Sequence, residues 1–137
     1  MAKKKTNKKW FRVAVAGDTT DGREIQASWL SDIAETYNPQ KKGARINCEH
    51  IKGYSPDSEF GAYGDITAVR VEDYEMDGET KLALYAEINP NEKLITLNKK
   101  GQKVYSSIEV NPNFANSGKA YLTGMAVTDD PASLGNE

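Results

Sequence analysis

One histidine and one cysteine, His50 and Cys48, are all this 137-residue chain has of two side chains central to nucleophilic and metal chemistry. A neutral imidazole serving as general base near pH 7 must therefore be His50. Zinc sites built on two or more His are excluded, and a single Cys rules out the usual four-ligand structural zinc sites. One Cys also excludes an internal disulfide, consistent with a reducing compartment. No apolar run approaches the roughly 18 residues of a membrane-spanning helix. No apolar leader opens the chain, so a cytoplasmic location is expected. There is no glycine-rich phosphate loop and no dinucleotide fingerprint. No cofactor and no metal are expected.

What is present is ordinary soluble material: 38% hydrophobic and 28% charged residues, in a length that suits one domain. The net charge of −2 hides an asymmetry, because five of the first nine residues are lysines and the rest therefore carries about −7. Residues 1–9 read as a solvated, disordered basic arm, and 10–137 as the folded domain. Such an arm could touch nucleic acid. An acidic body makes nucleic acid an unexpected partner.

Phe11, Val13 and Val15 alternate as a strand requires, and Asp21-Gly22 is a turn dipeptide. Residues 28–37 have a helical pattern, with Trp29, Leu30, Ile33, Ala34 and Tyr37 on one face, Ser28 as N-cap and Asn38-Pro39 as the stop. Residues 45–50 read as a short strand, and 64–72 as another. After the Asp77-Gly78 turn, Leu82, Leu84, Ala86 and Ile88 alternate with more polar positions. Residues 91–100 suit a second helix, capped by Asn91 and ended by Gly101. Strands over 103–110 and 118–127 complete the pattern. It predicts an α+β, mostly β fold: a barrel-like curved sheet with two short flanking helices.

Three stretches hold candidate chemistry. In residues 103–110, alternation puts Val104, Ser106, Ile108 and Val110 on one apolar face and Tyr105, Ser107 and Glu109 on the other. Ser107, opening on the polar face, is the better nucleophile of the pair, though no local elbow motif marks it. His50 ends a strand whose Ile46 and Cys48 point the same way, which predicts a partly buried, neutral ring. Cys48 and His50 form a rival pair, but same-face strand neighbours stand about 6.5–7 Å apart, too far for proton transfer. Asp21 is a turn residue by its local context. Spacing does not choose it over Asp18, Asp65, Asp129 or Asp130 as the carboxylate that orients His50.

Together these segments resemble a known family. The runs Trp10–Val15, Thr20-Asp21-Gly22-Arg23 and Arg45-Ile46-Asn47-Cys48-Glu49-His50 are similar to the GPO family of phage capsid scaffolding proteins, whose N-terminal region is a prohead maturation serine protease. The later runs 60–65, 102–109, 111–115 and 124–135 agree in order. By motif, the resemblance implies His50 as general base, Ser107 as nucleophile and Asp21, in the Asp-Gly-Arg turn, as the acid. Triads are recognised by geometry, so the order Asp–His–Ser is no obstacle. Arg45 and Asn47 are candidate oxyanion donors.

The family also resembles the herpesvirus assembly proteases, which implies a related barrel-like fold. Implied substrates and partners are the phage major capsid protein, other prohead proteins and the chain's own C-terminal scaffolding region, which these residues do not include. The implied place of action is the host cytoplasm, inside the assembling prohead. A non-catalytic capsid-assembly module that keeps the protease fold for docking is the alternative.

Overall fold

A computed structural model describes residues 9–18, 22–50, 62–101 and 105–129. In chain order the elements are β1 (Lys9–Val15), β2 (Gly17–Asp18), β3 (Glu24–Ile25), α1 (Ala27–Thr36), α2 (Pro39–Lys42), β4 (Arg45–Cys48), β5 (Gly64–Met76), β6 (Glu79–Pro90), α3 (Glu92–Lys99), β7 (Tyr105–Asn111), a 3-10 turn (Phe114–Asn116) and β8 (Tyr121–Thr128). Six strands form one mixed sheet in the order β1-β6-β5-β4-β8-β7, while β2 and β3 pair as a separate small hairpin. The main sheet is strongly β but open, so the expected barrel is corrected to an unclosed sheet with β1 and β7 at its two edges.

The sheet has two constructions. On one side, β5 and β6 are joined by the Asp77-Gly78 turn, both residues at positive φ (55° and 79°), as a two-residue hairpin of the strand-matching hand requires. Their register runs unbroken from Ala68↔Glu87 to Met76↔Glu79. On the other side, β8 is central, parallel to β4 and antiparallel to β7. A parallel neighbour cannot be reached by a tight turn, so this half closes only after most of the chain has been laid down.

The core lies between the sheet and α1. Val13, Leu30, Ile33, Ile46, Ile66, Leu84, Leu122 and Met125 are each at most 1% exposed. In β1 the alternation predicted from Phe11, Val13 and Val15 is interrupted: a bulge between Arg12 and Ala14 shifts the register. The extra residue turns consecutive side chains inward, so Val13, Ala14 and Val15 are all buried while Phe11 is 36% exposed. Helix α1 starts at Ala27 after Gln26, which makes no side-chain cap, in place of the expected Ser28 cap. Asn38 does not only stop α1. Its side chain accepts from Gln40 N and caps the one-turn α2, with Pro39 at the first helical position. Asn91 caps α3 as its sequence context indicates, accepting from Leu94 N at 3.2 Å.

Two tyrosines fix the connection that delivers β4. The Tyr37 hydroxyl donates to Ile66 O at 2.6 Å and accepts from Ala44 N at 2.8 Å. Burial is the main cause that pushes this hydroxyl above the ordinary tyrosine value of 10.0, partly offset by the bond from Ala44. Tyr121, 1% exposed, donates to Lys42 O at 2.7 Å and stacks on Phe114 with ring centroids 4.3 Å apart. These bonds satisfy backbone groups of a short connection that forms little regular structure of its own.

Candidate active site

Strand β4 starts the site. Its parallel register with β8 pairs Arg45↔Gly124, Asn47↔Ala126 and Cys48↔Val127. On the opposite flank of β8, β7 pairs Glu109↔Gly124 and Ser107↔Ala126. Asn47, Ala126 and Ser107 therefore form one row across three strands, and Arg45, Gly124 and Glu109 the adjacent row on the same face. The middle of each row is a small residue, which lets side chains from the flanking strands reach across β8.

Strand β4 stops at Cys48, two residues before the expected end. Glu49 and His50 both adopt left-handed backbone conformations, with φ of 56° and 60°. Alternation is lost there, so His50 does not join the buried row of Ile46 and Cys48. Its side chain is 44% exposed rather than partly buried on the apolar face. Consecutive non-glycine residues in this region each cost on the order of 1–3 kcal/mol and persist where the surroundings dictate them. One such tie is Glu49 N, which extends the ladder to Val127 O at 3.1 Å.

The turn aims His50 back over the sheet. Its Nδ1 lies 2.6 Å from Glu109 Oε2, and the same oxygen accepts from Asn47 Nδ2 at 3.0 Å. A cavity of about 460 Å³ opens beside this cluster, lined by Arg23, Glu49, His50, Ser107, Glu109 and Thr128 among others. His50 and Ser107 thus face one space. Ser106 and Ser107 are both largely covered, at 4% and 8% exposure. The predicted contrast between a buried and an open serine is replaced by a different one: Ser107 lines the cavity.

The third expected residue, Asp21, lies outside the described residues. Arg23, two positions further along the chain, lines the cavity. Of the other acids considered, Asp65 is paired with Arg45 at 3.1 Å. The carboxylate on the imidazole is Glu109, outside the set of aspartates that spacing left open. The signal was available: two residues from Ser107 on a strand is the same face, and only the conformation of residues 49–50 was needed to bring His50 to it.

The two candidate oxyanion donors are engaged elsewhere. Arg45 Nε bonds Asp65, and the Asn47 amide nitrogen bonds Glu109. Asn47 is 5% exposed, and its Oδ1 is buried without a hydrogen-bond partner in the structure. Leaving such an acceptor unsatisfied costs about 1–3 kcal/mol, so the amide is oriented by Glu109 at the expense of its own oxygen. Cys48 is buried and packs in the core. Among the described residues, no group of three or more His, Cys, Asp or Glu side chains could hold a metal ion, and no helix is long and apolar enough to cross a membrane.

A family model described as GPO serine peptidase, N-terminal domain, matches residues 8–137. The chain belongs to this peptidase family. A capsid assembly scaffolding protein of Escherichia phage P2 is 52% identical over 139 residues, covering 100% of this chain and 48% of the relative. The GPO domain seen here thus spans about half the length of that curated relative. No solved structure matches it, and the likeness to the herpesvirus proteases gains no support from the open sheet.

Proposed function

We propose that this GPO domain is the serine endopeptidase of phage prohead maturation. In this reading Ser107 is the nucleophile, His50 the general base, and Asp21 the acid that the family resemblance assigns. The observation that carries it is the convergence of His50, from the turn after β4, and Ser107, from β7, on one cavity with a carboxylate on the ring.

The chemistry is acyl transfer. Ser107 Oγ adds to a peptide carbonyl carbon while His50 takes the hydroxyl proton. The tetrahedral oxyanion collapses, the C–N bond breaks, and His50 returns the proton to the leaving amine. Water then repeats the sequence on the acyl-enzyme and releases the acid. No cofactor is required.

The substrates are proteins of the assembling prohead, with the major capsid protein and the chain's own C-terminal scaffolding region as partners, inside the prohead in the host cytoplasm. The name and length of the phage P2 relative support this setting. That name also favours a second reading, a capsid-assembly module that docks without cutting.

Reaction with a serine-directed fluorophosphonate, mapped by mass spectrometry, separates the two readings. The peptidase gives an adduct on Ser107 that disappears in His50→Ala. A folded wild-type domain that takes no label overturns the catalytic reading and leaves the docking one.

A further inference from the structure

Glu109 is placed with unusual care for an ordinary surface acid. Its side chain, 19% exposed, starts on edge strand β7 and reaches across β8 to meet Asn47 and His50 from the β4 side. The crossing point is Gly124, where an added Cβ would collide with Glu109 Oε1. Gly124 is not among the glycines at positive φ, so its backbone does not demand glycine. Space for the Glu109 carboxylate does. Asn47 gives its amide to the same carboxylate while its own oxygen goes unsatisfied. Three residues on three strands therefore serve one contact, Glu109 to the imidazole.

That contact fixes the ring. An ionised carboxylate only accepts hydrogen bonds, so the proton between Glu109 and His50 belongs to Nδ1. In the neutral ring the lone pair is then on Nε2, the nitrogen a serine hydroxyl needs.

We propose that Glu109 is a positioning residue for the peptidase reaction: it holds the His50 tautomer and ring orientation, with Gly124 and Asn47 holding Glu109 in turn. This rests on the peptidase reading and adds a second carboxylate to the one the family resemblance assigns. Asp21 remains the acid that the resemblance assigns, whereas the hydrogen bond to the ring among the described residues comes from Glu109.

The lone histidine makes the test clean, since every imidazole signal in the intact domain comes from His50. Long-range nitrogen-15 spectra of the wild type should show the neutral ring protonated on Nδ1. In Glu109→Gln the tautomer balance should shift, and fluorophosphonate labelling of Ser107 should slow at least about 10-fold. About 10⁴-fold is the loss seen when a triad imidazole is forced into the wrong tautomer. Gly124→Ala, which displaces the carboxylate without removing it, should produce the same two changes more weakly.

A wild-type ring protonated on Nε2 overturns the proposal without any variant. So does a folded Glu109→Gln that labels within twofold of wild type with its tautomer unchanged, whatever Asp21→Asn does. Absence of label on wild-type Ser107 speaks only against the peptidase reading. The tautomer shift in Glu109→Gln still reads the Glu109–His50 bond.

Discussion

The two halves of the sheet differ in how they are made and in what they carry. The β1-β6-β5 half is built on the β5-β6 hairpin, one tight turn between long strands. Strand β1, from the start of the chain, is added at the edge and tied by contacts such as Arg70 over Trp10 at 4.3 Å and Arg12 over Tyr74 at 3.9 Å. The β4-β8-β7 half joins β4, from the first half of the chain, to the late β7-β8 pair through a parallel ladder. All the described candidate catalytic side chains lie on the second half or on the turn that leaves it. Local pairing is entropically cheap and supplies a scaffold. Distant pairing is slow to form but is the only way to bring His50, Ser107 and Glu109 to one cavity.

The sharpest way to break this division is to act on the chemistry alone. Ser107→Ala should abolish cleavage and labelling, a loss on the order of 10⁶-fold by comparison with other serine proteases, while thermal unfolding changes little. A large drop in stability instead would make Ser107 a structural residue of β7.

The next effect belongs to the other half. Leu84, fully buried on β6, should cost about 2–5 kcal/mol when cut to Ala, read by denaturant unfolding. Ser107 in the remaining folded fraction should label at the wild-type rate. A slowed rate would mean the two halves are energetically coupled at the site.

Tyr37 tests the connection between the halves. Tyr37→Phe removes the hydroxyl that serves both Ile66 O and Ala44 N and should cost about 1–3 kcal/mol. The folded chain favours the neutral hydroxyl, since burial raises its pKa above 10.0. Its stabilisation is complete below pH 10.0 and is lost as pH rises through the folded value. Wild-type melting temperature should therefore fall more steeply above pH 10.0 than that of Tyr37→Phe. Equal slopes would remove Tyr37 as the cause. Arg70→Ala should have the smallest effect, within about 1 kcal/mol, with Ser107 labelling unchanged.

Much of the scaffold could be read in advance. The Asp77-Gly78 turn, the β6 alternation and the Asn91 cap are local signals with local causes, and each is found where its residues put it. The bulge in β1 and the second role of Asn38 escaped because both depend on which strand or helix the segment meets. At the site, composition and the family motif pointed to His50 and Ser107, while alternation misjudged the exposure of both. The carboxylate on the ring could not be read in advance. Glu109 was on the correct face, but a left-handed pair of residues at 49–50 is not a pattern any periodicity reports.

Composition by itself determined that any imidazole chemistry here must pass through one residue, and local sequence set the β5-β6 hairpin and the helices α1 and α3. Tertiary structure decided what that imidazole touches, whether the sheet closes, and why position 124 is glycine. The physical reason is reach: side-chain periodicity is set within a few residues, whereas the hydrogen bond between the turn after β4 and strand β7 is set by register across a third strand.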